Sequence, residues 1–227
     1  MTLLTVYCIA ITIGAYAVSR AIGRRYPSPL TVPVFLSTPL VMLVLWGTHI
    51  DLSGYSQAKS IMTYLLGPAT VALAVPLYRH RHVLIKDALP FCVGLVSGTF
   101  STMIAAIGCA KLLGLSPELQ AALSIKSVTA PIAIALAPKI DADPTLTAGF
   151  VIITGLVGSM FGPWLLTRMR ITRAEARGEA LGTISHGQGT AEALHEGDLT
   201  GAASSIAMGS AAVLTSLIAI PLVRLVV

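Results

Sequence analysis

Apolar residues in this chain gather into long uninterrupted blocks. Leu3 to Val18, Leu30 to Trp46, Ile61 to Tyr78, Leu89 to Leu113, Leu146 to Met169 and Ala202 to Val227 are the longest. Each comes near the ~20 residues that a helix needs to cross a bilayer. None alternates apolar and polar positions with period two, so a membrane β-barrel is a poor fit. Lipid offers no partner to a free backbone N–H or C=O, and helices satisfy both within one segment. The pattern predicts an all-α integral membrane protein.

Basic residues mark the ends of these blocks. Arg20, Arg24 and Arg25 follow the first; Arg79, Arg81 and Lys86 follow the third; Arg168, Arg170, Arg173 and Arg177 follow the fifth. Lys- and Arg-rich loops stay in the cytoplasm. The stretch from Gly47 to Ser60 holds Asp51 and only Lys59, which suits the outer side as a loop. The chain is then outside near Gly114 and outside again near Asp141 and Asp143. The apolar stretch 119–137 must leave the outer face and return to it. The polar, glycine-rich stretch 174–194 must do the same from the inner face. The expected architecture is about six transmembrane helices plus two re-entrant, discontinuous helical segments, dipping from opposite sides. Such opposed segments hint at an inverted repeat, as in many secondary transporters. No linker or soluble domain interrupts the chain, so residues 1–227 are expected to form a single transmembrane domain.

Composition sharpens the class. Charged residues make up 11% and hydrophobic residues 55% of the 227, against about 25% charged in soluble domains. The first block has no basic residue before it and three arginines after it, the reverse of a secretory signal, so a retained helix is expected. A net charge of +5 matches the cytoplasmic bias and not nucleic-acid binding, which needs a soluble basic surface. Cys8, Cys92 and Cys109 show neither paired nor metal-ligand spacing. No nucleophile elbow, Walker loop or zinc-protease motif is present, so no enzyme activity, cofactor or metal is expected.

Three segments carry candidate chemistry. In Ser124-Ile125-Lys126-Ser127-Val128-Thr129-Ala130-Pro131, one ammonium stands in an apolar stretch. Such a group faces a cavity, a partner or, by snorkelling, the headgroups. Ser127 and Thr129 add hydroxyls, and Pro131 is a helix breaker. Gly182-Thr183-Ile184-Ser185-His186-Gly187-Gln188-Gly189-Thr190 surrounds one histidine with three glycines and three hydroxyls. The first segment reads as an anion site; in the second, His186 could bind a carboxylate or pass a proton, or the segment could be a hairpin tip whose polar side chains only satisfy its own backbone. Leu66-Gly67-Pro68-Ala69-Thr70 marks a kink or break with Thr70 as a further hydroxyl. The small residues from Gly201 to Ser210 suit close helix packing. His195 and Glu196 read as the solvated end of the second segment.

These residues carry a resemblance. Lys126-Ser127-Val128-Thr129-x-Pro131-Ile132-Ala133, the run from Leu66 to Tyr78 and Ser185-His186-x-x-Gly189-Thr190 are similar to the LrgB/CidB family signature. The resemblance implies a multi-pass protein of the bacterial inner membrane, described as antiholin-like or autolysis-modulating. It implies a small LrgA/CidA-like membrane partner and kinship with the plastid glycolate/glycerate translocator of plants. Two departures stand out: Ile125 occupies a position that is often proline, and Gln188 one that is usually apolar.

Two functions follow as expectations. In the first, the chain carries small monocarboxylates such as glycolate, glycerate, lactate or pyruvate. Lys126, Ser127, Thr129 and Pro131 would face Ser185, His186, Gln188, Gly189 and Thr190 across the pocket, with Thr70 nearby. In the second, it is a holin- or antiholin-like regulator of murein hydrolase export that acts by assembly in the bilayer. Carriers of this size are often homo-oligomers, and a dimer is the expected state.

Overall fold

A computed structural model describes residues 3–26, 28–72 and 74–227; the side chains of Leu66, Thr70, Pro76, Leu77, Val83 and Leu84 lie outside that description. The described residues form helices joined by short loops, with no strand among them. They divide into two compact units, residues 1–74 and 75–227.

The first unit holds α1 (Leu3–Arg25), α2 (Pro33–Gly47) and α3 (Leu52–Ala72). Cys8, Leu45 and Ala58, one from each helix, form its buried centre. Polar ties join α1 to α3: Thr5 Oγ1 donates to Gln57 Oε1 at 2.6 Å, and Thr12 Oγ1 lies 2.9 Å from Tyr55 Oη. These ties explain a departure from the sequence pattern. The stretch Gly47 to Ser60 was expected as a loop, yet α3 starts at Leu52, because Tyr55, Gln57 and Ala58 dock on α1. The helix also runs through Gly67 and Pro68 to Ala72.

The second unit holds α4 (Ala74–Arg79, which starts at the boundary), α5 (Arg81–Lys86), α6 (Ala88–Leu112), α7 (Pro117–Ser124), α8 (Ala130–Leu136), α9 (Pro144–Arg168), α10 (Ala174–Glu196) and α11 (Asp198–Val226). Asp143 caps α9, its Oδ1 accepting from the Leu146 N–H at 2.7 Å, and Pro144 opens the first turn. Helices α1, α6, α9 and α11 are long and apolar enough to cross a membrane. They match four of the six expected spans. The other two fall on α2, of fifteen residues, and on the second half of α3 with α4, which lie on either side of the division between the units.

Both discontinuous segments fold back. After α7 the chain breaks at residues 125–129, enters α8 and tightens into a 3-10 turn, Ala137–Ile140, that packs against α7. In α10 the break is at His186, with φ 41° and ψ −128°. The helix is therefore two arms, 174–185 and 187–196. Arg177 and Glu196 prove the reversal: they are 19 residues apart, yet Nε and Nη2 donate to the carboxylate at 2.7 and 2.6 Å. A straight helix would separate them by about 28 Å.

Glu196, expected as a solvated end, is exposed and also closes the hairpin through its carboxylate. Arg177 also donates to the carbonyls of Ile171 and Pro163. The two side chains are 13% and 21% exposed. Charge-assisted bonds of this kind contribute about 1.5–3 kcal/mol. Arg177→Met is expected to lower the unfolding midpoint of the purified protein by several degrees, whereas Arg173→Met, whose side chain is 65% exposed, shifts it little. Thermal unfolding in detergent checks both, and equal shifts would refute the clasp.

Candidate functional site

Glycines let the α10 hairpin sit deep among its neighbours. On α9, a Cβ at Gly155 would stand 2.6 Å from His186 Cε1, and one at Gly162 would stand 2.7 Å from Leu181 Cδ2. Gly158 likewise leaves room for the Ser185 hydroxyl. On the first arm, Gly178 and Gly182 lie against the α11 backbone at Thr200 and Ser204, and Gly189 lies against the carbonyl of Leu181 on the facing arm. Gly201-Ala202-Ala203-Ser204 and Ala207 are buried, so the small-residue run packs as expected up to that point; Gly209 is exposed. The row Gly155-x-x-Gly158-x-x-x-Gly162 is a site feature that sequence reasoning missed. Its signal was a small-residue spacing inside an otherwise ordinary span.

The two breaks meet at one level of α9. Ile125 and Val128, which flank Lys126 and Ser127, are buried in the same core as Val151. His186 Nε2 lies 3.1 Å from the carbonyl oxygen of Val151. One ammonium on a broken segment and one imidazole on a hairpin tip therefore face a common region.

The surroundings of each are polar. Lys126 is half-buried, and its Nζ donates to Ser127 Oγ at 3.1 Å. His186 is 7% exposed. Its backbone conformation is one that L-residues avoid, and such strain persists only where surrounding packing imposes it. Gln188 directs Oε1 toward Gly155, and that oxygen is buried without a hydrogen-bond partner. Thr190 Oγ1 bonds the carbonyl of His186 and lies 2.9 Å from Ser204 Oγ, which fixes the second arm to α11.

The expected site residues fall into three groups. Lys126, Ser127, His186 and Gln188 lie at or beside the two breaks. Ser185, Gly189 and Thr190 shape the hairpin and seat it on its neighbours. Thr129 caps α8 through its backbone and is half-buried, and Pro131 is exposed in the first turn of that helix. Pro131 therefore starts a helix and does not create the break, which precedes it. Thr70 belongs to the other unit, and its side chain lies outside the described residues.

A model of the LrgB-like family matches residues 12–225. The chain belongs to the LrgB-like family. It is 36% identical over 213 residues to the uncharacterized protein YxaC of Bacillus subtilis, covering 94% of this chain and 93% of the relative. It is 31% identical over 213 residues to the holin-like protein CidB of Staphylococcus epidermidis, with the same coverage of both. The CidB of Staphylococcus aureus is 30% identical over 210 residues, 92% of each chain. No solved structure matches. Membership of this family and the four long apolar helices make this LrgB-like chain a multi-pass membrane protein.

Proposed function

We propose that this LrgB-like protein carries small monocarboxylate anions, of the glycolate, glycerate, lactate or pyruvate type, across the bacterial inner membrane. The observation that carries the reading is the convergence of two chain breaks beside Val151, one bearing Lys126 and the other His186. Cations at membrane depth mark substrate pathways, and discontinuous helices frame the sites of many secondary transporters. Lys126 attracts the carboxylate. The Ser127 hydroxyl and the unpartnered Gln188 Oε1 then suit the hydroxyl or carbonyl oxygen beside it, Gln188 through either end of its amide. The hairpins at 119–137 and 174–194 are the re-entrant segments, and their movement against the long helices exposes the site to either side in turn. A small LrgA/CidA-like partner and a homodimer belong to the same reading.

The names of the staphylococcal relatives favour a second reading, a holin- or antiholin-like regulator that works by assembly in the bilayer. The two readings differ in saturability. Proteoliposomes holding the purified protein are given labelled glycolate, lactate and pyruvate. Uptake that saturates and prefers one acid supports the carrier. Leakage that rises linearly with concentration and passes unrelated solutes supports the holin-like reading.

A further inference from the structure

The first arm of the α10 hairpin holds a carboxylate that the anion site does not use. Glu179 lies seven residues before His186, about 10 Å along the helix from the tip. Its Oε1 is shut off from solvent without a hydrogen-bond partner, directly over Gly94 of α6. One turn nearer the tip, Thr183 sets its methyl against Gly98 of the same helix. Thr183 is 5% exposed and its hydroxyl is likewise without a partner. So is the hydroxyl of Thr99, next to Gly98 and 3% exposed. Three oxygens without partners thus belong to one helix pair, α6 and the first arm.

The charges near this end of the unit are engaged elsewhere. Arg173 binds Asp87 at the start of α6 and lies 3.8 Å from Glu175. Arg177 binds Glu196, beside which Glu192 stands on the second arm. Asp198 opens α11 with a charge of the same sign as Glu179. No cation among these residues bonds the sealed oxygen of Glu179. A carboxylate so placed is costly unless it takes up a positive charge of its own.

We infer that Glu179 is the group that binds a proton carried together with the anion. This rests on the carrier reading. A monocarboxylate crossing alone moves negative charge through the bilayer, and a proton taken up with it makes the step electroneutral. The residue as a whole is half-buried, so it keeps some contact with its surroundings on one side while Oε1 faces the sealed interior. The proton leaves water, forms an O–H bond on the Glu179 carboxylate and returns to water on the other face, with no redox change. Thr183 lies on the same arm between this carboxyl and the tip.

Glu179→Gln tests the assignment, because an amide mimics the protonated acid in shape and charge. Wild type is expected to accumulate its preferred acid when the vesicle exterior is made acidic. Glu179→Gln is expected to exchange labelled for unlabelled acid across the membrane, yet to lose at least tenfold of the accumulation driven by the pH gradient. Glu179→Asp is expected to keep a part of it. Wild-type accumulation by Glu179→Gln would overturn the inference, as would loss of exchange in both variants, which would make Glu179 a structural residue. Wild-type uptake driven by sodium and indifferent to pH would also overturn it. If wild type exchanges no acid at all, the carrier reading fails first and takes this inference with it.

Discussion

Lys126→Met is expected to abolish saturable uptake while leaving the protein folded. Methionine keeps most of the length and apolar surface of lysine and removes only the charge. The lysine is half-buried, and its Nζ donates to the neighbouring Ser127 Oγ at 3.1 Å, so the fold loses little with it. A bound carboxylate would lose far more. A hydrogen bond between charged groups contributes about 1.5–3 kcal/mol, roughly a 10- to 100-fold change in affinity. Lys126→Arg should retain part of the activity, since it keeps charge but changes donor geometry. The measurement is initial uptake rate against substrate concentration, with a thermal unfolding curve for each variant. An unchanged concentration dependence in Lys126→Met would remove lysine from the site, and the snorkelling role would stand in its place.

The second large effect is expected at Gly182, where alanine should destabilise the protein. By helix propensity alone the exchange should stabilise by up to about 1 kcal/mol. Yet the new Cβ would fall on the backbone of α11, with Ser204 C and Cα both at 2.9 Å and the carbonyl oxygen closer still. Neither side can yield by turning a side chain. Overpacking of this kind costs about 1–3 kcal/mol, occasionally more, so the packing term outweighs propensity. Gly149→Ala is the internal control. It too is a helical glycine, but nothing stands within 4 Å of its added Cβ, so propensity decides and the midpoint should rise slightly. Opposite shifts for the two alanines, read by thermal unfolding in detergent, are the expected result. A stabilised Gly182→Ala would mean that the first arm does not lie on α11 as described.

Much of this architecture was legible along the chain. Apolar blocks of membrane length found α1, α6, α9 and α11, because a lipid-facing helix writes its burial into every residue and not into one stripe. The basic clusters led to the two segments that fold back, since a topology counted from arginines leaves 119–137 and 174–194 no full crossing. Glycine and hydroxyl enrichment at 182–190 marked the hairpin tip, because a chain reversal among packed helices needs small residues. Lys126 stood out as one ammonium in an apolar stretch, and His186 as one histidine among glycines and hydroxyls.

Other features depend on partners distant in the chain. Tyr55, Gln57 and Ala58 read as part of an outer loop, and docking on α1 makes them helix. Glu196 read as a solvated end and is exposed, but its clasp with Arg177 was not legible. Pro131 read as the breaker, while the break lies in the residues before it.

The sequence by itself determined a multi-pass helical protein with two interrupted segments and one candidate cation in each. Only the tertiary structure decided that the two interruptions meet beside Val151, that the glycines of α9 receive the hairpin, and that Glu179 lies over Gly94 without a partner for Oε1. The physical reason is one of range. Periodicity and composition record how each segment meets lipid, water and its own backbone. Which glycine faces which residue of a different helix is set by packing at contact distance, and no local pattern encodes it.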